Sequence, residues 1–436
     1  MDGFSKKIVL VNPPSPAGKT LNREGSAGAG AVVESEGGFV YPPQTIASVG
    51  AALCQSGFNV EVVDAVKPAV GFDKAVAAVV SSKPEVVGFL ATVKTIEYDL
   101  EFARAVHRVL PEAKVIAFGQ TAHLCLQQIE ASGTVDFVVA GEPELRVAKY
   151  CAAGGPPPET EEWQDELFEP DLDSLPAPRW DLIRPYAYSY LTVSSSRGCD
   201  HGCKYCPYVL AQGTRLRSRE SHRVVEEMEA LCSTFGPRRI IFRDPVFARD
   251  RKRVVTLCRA IRGSSNSFEW ECESRPDHLD NDLLDLMAKS GCVELKVGLE
   301  SADTADLVAM GRVPSEQHAA DYLASFQRLM NSCDATGVKV QVYVMVGLPG
   351  QAEASIRESV GFLRQFSAID YRLKVKRYVH YPGTALWHER PDYCATATDW
   401  DTVVRESFEP LGKSSPARRA TRSRIGTLLR RIVGNV

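Results

Sequence analysis

Short apolar runs alternate with helical stretches through most of this 436-residue chain, and that alternation restricts the fold more than any single motif does. Residues 7–11, 59–64, 86–90 and 114–118 read as buried strands, with a weaker one at 136–140. Helical patterns fall at 43–55, 72–80, 96–109 and 123–131. Strand and helix repeated in this way predict a mostly parallel sheet covered on both faces. Binding is then expected beyond the carboxyl ends of the strands. Those loops hold Asn12-Pro13-Pro14, Ala91-Thr92, Gly119-Gln120-Thr121 and Gly141-Glu142-Pro143. A dinucleotide site would need GxGxxG directly after the first strand, which Asn12-Pro13-Pro14-Ser15-Pro16 does not supply. The glycines between Gly25 and Gly30 come too late, and they predict a mobile loop.

A second strand set follows at 190–194, 239–242, 269–274, 293–298, 339–346 and 371–379, with helices between, the first at 221–235. That count predicts a partial (β/α)6 barrel, open on one side, with its site at the carboxyl ends of the strands. Cys199, Cys203 and Cys206 lie just after the first of these strands, in Ser196-Arg-Gly-Cys-Asp-His-Gly-Cys-Lys-Tyr-Cys-Pro207. Three thiolates so close together suit three irons of a [4Fe–4S] cluster, leaving the fourth iron open; a zinc knuckle or a disulfide-poised loop uses similar spacing.

The CxxxCxxC run, with the aromatic Tyr205 before its last cysteine, resembles the cluster motif of the radical S-adenosylmethionine (SAM) enzymes. That resemblance extends over about residues 190–390. It implies that the three cysteines hold the cluster and that SAM takes the open iron. Strand-end residues would then line SAM: Arg243 and Asp244, Glu273 and Arg275, Glu300 and Ser301. Arg275 would suit the methionyl carboxylate and Glu300 the ribose, while an ion pair between Glu273 and Arg275 is the structural alternative. Arg243-Asp244-Pro245 stands where the family has glycine-glycine-glutamate, so the contact to the amine is the least defined. The N-terminal half is similar to the cobalamin-binding domain that precedes one group of these enzymes. Its matching elements are Asn12-Pro13-Pro14, Tyr41-Pro-Pro-Gln, the strand at 57–64, Gly119 and Gly141-Glu142-Pro143-Glu144. Cobalamin contacts are implied at Asn12, Pro13, Pro14, Thr92, Gly119, Gln120, Thr121 and Glu142. The DxHxxG motif of other cobalamin domains is missing, so no imidazole is expected on cobalt; His123 is the only histidine near that edge.

The expected organisation is a Rossmann-like cobalamin domain at 1–150, an acidic, proline-rich linker at 151–185, the barrel at 186–395 and an extension at 396–436. From Lys413 to Val436 there are seven Lys/Arg and no acid, which suggests a basic amphipathic helix. A formal charge of −4 gives no overall pull toward nucleic acid. Twelve scattered cysteines and the lack of an apolar leader point to a reducing, cytoplasmic setting, and no apolar run is long enough for a transmembrane segment. The resemblance implies [4Fe–4S], SAM and cobalamin as cofactors, a reductase such as flavodoxin or ferredoxin, and a small-molecule substrate. The expected activity is C- or P-methylation in specialised metabolism, for example antibiotic biosynthesis. The alternatives are a non-methylating radical rearrangement, cyclisation or epimerisation, and a non-catalytic iron–sulfur protein.

Overall fold

The computed structural model describes residues 6–66, 70–154, 167–183, 188–393 and 399–412. Its first sheet contains β1 (Lys7–Asn12), β2 (Asn59–Asp64), β3 (Val86–Leu90), β4 (Lys114–Phe118) and β5 (Phe137–Val139), all parallel, in the order β2-β1-β3-β4-β5. The alternation along β1 explains its unbroken apolar run. Ile8 and Leu10 join one core with Ile46 and Leu53 of α1 (Gln44–Gln55), and Val9 and Val11 join another with Phe102 and Val106 of α3 (Ile96–Val109). The helix α2 (Phe72–Ser82) packs on the same face as α3, through Ala75 and Val79. A strand covered on both faces has no polar side to show.

The predicted helix at 123–131 is divided. A 3-10 turn at Ala122–Cys125 leads into α4 (Leu126–Ser132), and α5 (Pro143–Ala153) closes the unit. The glycine-rich segment also differs from expectation, since it is a packed turn. Thr20–Asn22 and Ala31–Val33 pair antiparallel, with the 3-10 turn Ser26–Gly28 between them. Thr121 Oγ1 donates to Gly28 O at 2.8 Å, and Lys94 N donates to Ala29 O at 3.0 Å. At Gly30 (φ +84°) a Cβ would lie 2.1 Å from Thr92 Oγ1. Glycine is needed there for close approach as well as for backbone freedom.

The second sheet contains β6 (Leu191–Val193), β7 (Ile240–Phe242), β8 (Trp270–Ser274), β9 (Cys292–Glu300), β10 (Lys339–Val346) and β11 (Tyr371–Arg377). The strands are parallel and pair in sequence order, with β6 and β11 at the two edges, so the barrel is open. Trp270, Cys272, Leu295, Val297, Val340, Val342 and Leu373 belong to the core behind the sheet. The alternate positions, among them Glu271, Glu273, Lys296, Tyr343 and Lys374, face the concave side. This lumen is charged. Lys296 bonds Glu271, Arg372 bonds Glu294, and Arg239 lies 3.6 Å from each of those two carboxylates. The expected basic tail helix lies outside the described residues. Among the described residues no helix is long and apolar enough to cross a membrane.

Candidate functional site

The cysteine loop leaves the end of β6 and is pinned at its base by Asp244. That carboxylate accepts from Ser195 N at 2.8 Å, Ser195 Oγ at 2.6 Å and Ser196 Oγ at 2.6 Å, and lies 3.5 Å from Arg253. Both oxygens are occupied and the side chain is fully buried. Its geometry is therefore that of a loop anchor rather than of a SAM contact. Ser196–Arg197 then pairs antiparallel with Arg217–Ser218, closing the loop into a ribbon with the cysteines at its far end.

Two acids of the first unit grip that ribbon. Arg197 reaches Glu144 at 2.7 Å and Glu142 at 3.3 Å, and Arg217 reaches Glu142 at 2.8 Å. All four side chains are nearly removed from solvent. Burial alone would push the Glu142 carboxyl up, but Arg197 and Arg217 outweigh it and hold it below the usual carboxylate range. Glu142 also accepts from Glu169 N at 2.8 Å, which leaves it no capacity for a corrinoid amide. The predicted ligand contact is thus an inter-unit clamp, and Arg197 and Arg217 are partners that motif reading passed over.

Cys199, Cys203 and Cys206 are free thiols. Arg275 Nη1 lies 4.0 Å and Arg312 Nη1 3.8 Å from Cys203 Sγ, so two cations face one sulfur. Among the described residues no group of three or more His, Cys, Asp or Glu side chains is arranged to hold one metal ion. Three clustered thiols with guanidinium neighbours fit the donor chemistry of an iron–sulfur cluster.

Arg312 gathers the rest of this neighbourhood. It donates to Gly298 O at 3.1 Å and Tyr322 Oη at 2.8 Å, sits 3.5 Å from Tyr205 Oη, and lies 3.9 Å from Glu300. Glu300 has φ +66°, a left-handed conformation rare for a side chain of its size, at a bulge in β9. Burial raises its pKa, with Arg312 and the Tyr205 hydroxyl opposing that shift. A Cβ on Gly298 would sit 2.1 Å from Glu300 Oε1 and 2.9 Å from Arg312 Nη2, so any larger residue beneath the pair would push these two side chains aside. A carboxylate, a phenol and a guanidinium beside the cysteine loop are groups that could hold the ribose hydroxyls and the zwitterionic end of SAM.

The structure therefore brings Tyr205, Glu300 and Arg275 to the cysteines and leaves other predicted residues elsewhere. The Arg275 fork is engaged by Asp277, at 2.9 and 2.8 Å, and not by Glu273 or by open space. Arg243 donates to Glu24 O at 2.6 Å and stacks over Tyr41 at 3.8 Å, bridging the two sheets' units. Ser301 bonds Asp306 of α6 (Thr304–Ala309) and meets Ser359 at 3.4 Å. Glu273 points into the lumen.

The predicted corrinoid edge is largely sealed. Asn12 donates to Asp64 at 2.9 Å and accepts from Arg23, which also bonds Pro13 O at 2.6 Å and forms a fully buried pair with Asp99 at 2.5 Å. Pro14 is buried beside them. Thr92 Oγ1 meets Thr95 Oγ1 at 2.7 Å, and Thr121 is held by Gly28. A Cβ at Gly119 would meet Ala91 O at 2.3 Å. Gln120 alone of the set lines a small polar cavity of about 20 Å³ at the unit boundary, where amides and hydroxyls such as Gln44, Ser194 and Gln212 meet the charged Glu24, Glu144, Arg197 and Arg243. The amides and hydroxyls among them are of the donor and acceptor type that pairs with the side-chain amides of a corrinoid. His123 lies in the turn after β4, its Nδ1 buried without a partner, and burial lowers its pKa.

Two family models match the chain: the B12 binding domain over residues 30–150 and the Radical SAM superfamily over residues 193–363. The uncharacterized methyltransferase PH0819 of Pyrococcus horikoshii is 23% identical over 405 residues, covering 87% of this chain and 82% of that protein. The anaerobic magnesium-protoporphyrin IX monomethyl ester cyclase of Cereibacter sphaeroides is 23% identical over 385 residues, covering 81% of this chain and 61% of that one. The fold matches that of the radical SAM methyltransferase TsrM from Kitasatospora setae, solved with cobalamin and a [4Fe–4S] cluster, at a TM-score of 0.69 and 18% identity. That match covers 90% of this chain and 76% of TsrM. A B12-type parallel sheet whose acids clamp the cysteine loop of an open, charged barrel completes the correspondence: the chain belongs to the cobalamin-binding-domain radical SAM enzymes.

Proposed function

We propose that this enzyme is a cobalamin-dependent radical SAM methyltransferase acting on an unactivated carbon, or a phosphinate phosphorus, of a small specialised metabolite. The observation that carries this reading is the coupling of the two units: Glu142 and Glu144 of the B12-type domain hold Arg197 and Arg217 on either side of the cysteines. A corrinoid domain fastened to the cluster loop suits a reaction in which both cofactors address one substrate. The similarity to PH0819 along most of both chains adds to it.

In this reading Cys199, Cys203 and Cys206 ligate the cluster, and Glu300, Tyr205 and Arg312 hold the ribose and methionyl end of SAM. Gln120 and its cavity neighbours face the corrinoid. The cofactors supply the radical and methyl-transfer chemistry when bound. The residues of the chain supply position and exclusion of water: Asp244 fixes the loop, the glutamate clamp fixes the distance between units, and the lumen holds the substrate in line. We further assign 1–150 to the corrinoid unit, 151–185 to the linker, 186–395 to the barrel and 396–436 to an extension. A flavodoxin or ferredoxin would serve as reductase in a cytoplasmic setting.

The similarity to the cyclase supports a second reading, an oxidative ring-forming radical reaction without methyl transfer. Reconstituted enzyme given its substrate and methyl-deuterated SAM separates the two. The methyltransferase reading expects deuterated methyl on the product, with S-adenosylhomocysteine and 5′-deoxyadenosine formed in equal amounts above the substrate-free background. Conversion with 5′-deoxyadenosine and no added methyl mass would replace it with the cyclase reading.

A further inference from the structure

The lumen carries more cations than it pairs. Along β11, Tyr371, Leu373 and Val375 pack into or against the core behind the sheet, which turns Arg372, Lys374 and Lys376 to the concave side. Arg372 is paired with Glu294, and on β9 Lys296 is paired with Glu271. Lys374 and Lys376 make no hydrogen bond or ion pair among the described residues, and neither does Glu273, the one unpaired acid that acts on both.

By register Lys374 stands beside Tyr343 and Lys376 beside Met345, both nearer the carboxyl ends of the strands than the paired layer beneath. Both lysines are open to water, yet burial by the surrounding walls pulls the pKa of each down, and that of Lys374 reaches about 8. Two lysines on the same face of one strand, with Glu273 the one unpaired carboxylate that acts on both, leave this wall with an excess of positive charge that an anion would balance. We propose that Lys374 and Lys376 form an anion-binding wall of the substrate chamber, so that the substrate carries a carboxylate or phosphate group close to the centre that reacts. This deepens the reading of the barrel as a substrate chamber but does not require that methyl be transferred.

The rival explanation is local. β11 is an edge strand, and lysines on edges discourage pairing with other chains. The two are separated by treating the cluster-reconstituted full chain with pyridoxal 5′-phosphate, trapping with borohydride and mapping the sites by mass spectrometry. The anion-wall proposal expects Lys374 and Lys376 to be modified ahead of the surface lysines Lys252 and Lys289. It also expects inorganic phosphate or succinate, added first, to remove most of that modification. Stronger protection by phosphate assigns a phosphorylated substrate, and stronger protection by succinate a carboxylated one. In the Lys374→Gln variant, Lys376 should lose its protection. Modification no faster than at Lys252, or no protection by either anion, overturns the proposal in favour of edge guarding. No turnover is involved, so the outcome is independent of whether the enzyme methylates.

Discussion

Arg312 shows how much of a site can rest on a residue no motif announces. It sits in the turn after α6, and its guanidinium ties Gly298 O, Tyr322 and Tyr205 to the sulfur of Cys203. Cysteine spacing and strand ends were legible in the sequence because they follow from ligand number and barrel geometry. Arg312 was not, since it reaches the site from a turn across the barrel mouth. Asp244, Arg243 and Ser301 were placed at strand ends by the same reading, which could not show that Ser195 and Ser196, Tyr41 and Asp306 would engage them. Arg312→Ala should weaken SAM binding by about 2–4 kcal/mol, the scale of lost charge-assisted bonds in a desolvated site. Arg312→Lys should recover only part, because the planar fork is lost. Equilibrium binding of SAM, with iron content as the control, checks both, and unchanged affinity would reduce Arg312 to a structural role. Lys374 gives a pH signature. Its lowered pKa arises from burial, Lys376, Lys296 and Arg372, against the opposing charge of Glu273. Between about 8 and the ordinary lysine value the unfolded chain then binds more protons than the native one, so this residue's contribution to stability rises with pH. Urea midpoints measured from neutral to alkaline pH should show that rise in the wild type and a smaller one in Lys374→Gln.

At the scale of elements, most strands and helices agree with the expected limits to within a residue or two. Continuous apolar runs in β1, β3 and β4 have only one comfortable environment, a parallel sheet covered twice, and β8–β11 alternate around a wet lumen. The segment from Gly25 to Gly30 was misread because glycine content signals permitted conformations without saying what packs on them; here Thr92 and Gln120 do. The Gly141-Glu142-Pro143-Glu144 motif was recognised, but its role depends on arginines far along the chain. Glu142→Gln leaves Arg197 and Arg217 short of a buried charge, and breaking such a pair costs about 3–5 kcal/mol. A urea titration should show a loss of that order, together with easier loss of iron, while substitution of the exposed pair Lys289–Asp285 should change stability by less than about 1 kcal/mol. Gly298→Ala should disturb Glu300 and Arg312 with little effect on the sheet, seen as weakened SAM binding at near-normal stability.

For the whole molecule, two parallel sheets meet through polar contacts: the glutamate–arginine clamp, Arg243 over Tyr41, Gln44 to Ser194 at 3.1 Å and Lys94 over Tyr381. Sequence periodicity defined each sheet but not this seam, since it joins residues with no shared pattern. The sealed loop after β1 leaves no histidine on the side where other cobalamin domains place one. EPR of the bound cob(II)alamin should therefore lack splitting from an axial nitrogen and be unchanged in His123→Ala; splitting that vanished in that variant would make His123 the ligand. The clamp has a consequence for how such a chain can be taken apart. Its acids lie in the first unit and its bases in the loop that carries the cysteines, so the two halves are not interchangeable modules. A barrel expressed alone would keep all three cysteines and lose the counter-charges of Arg197 and Arg217. Grafting a different corrinoid domain onto this barrel would succeed only if the graft brought its own pair of acids to the same place.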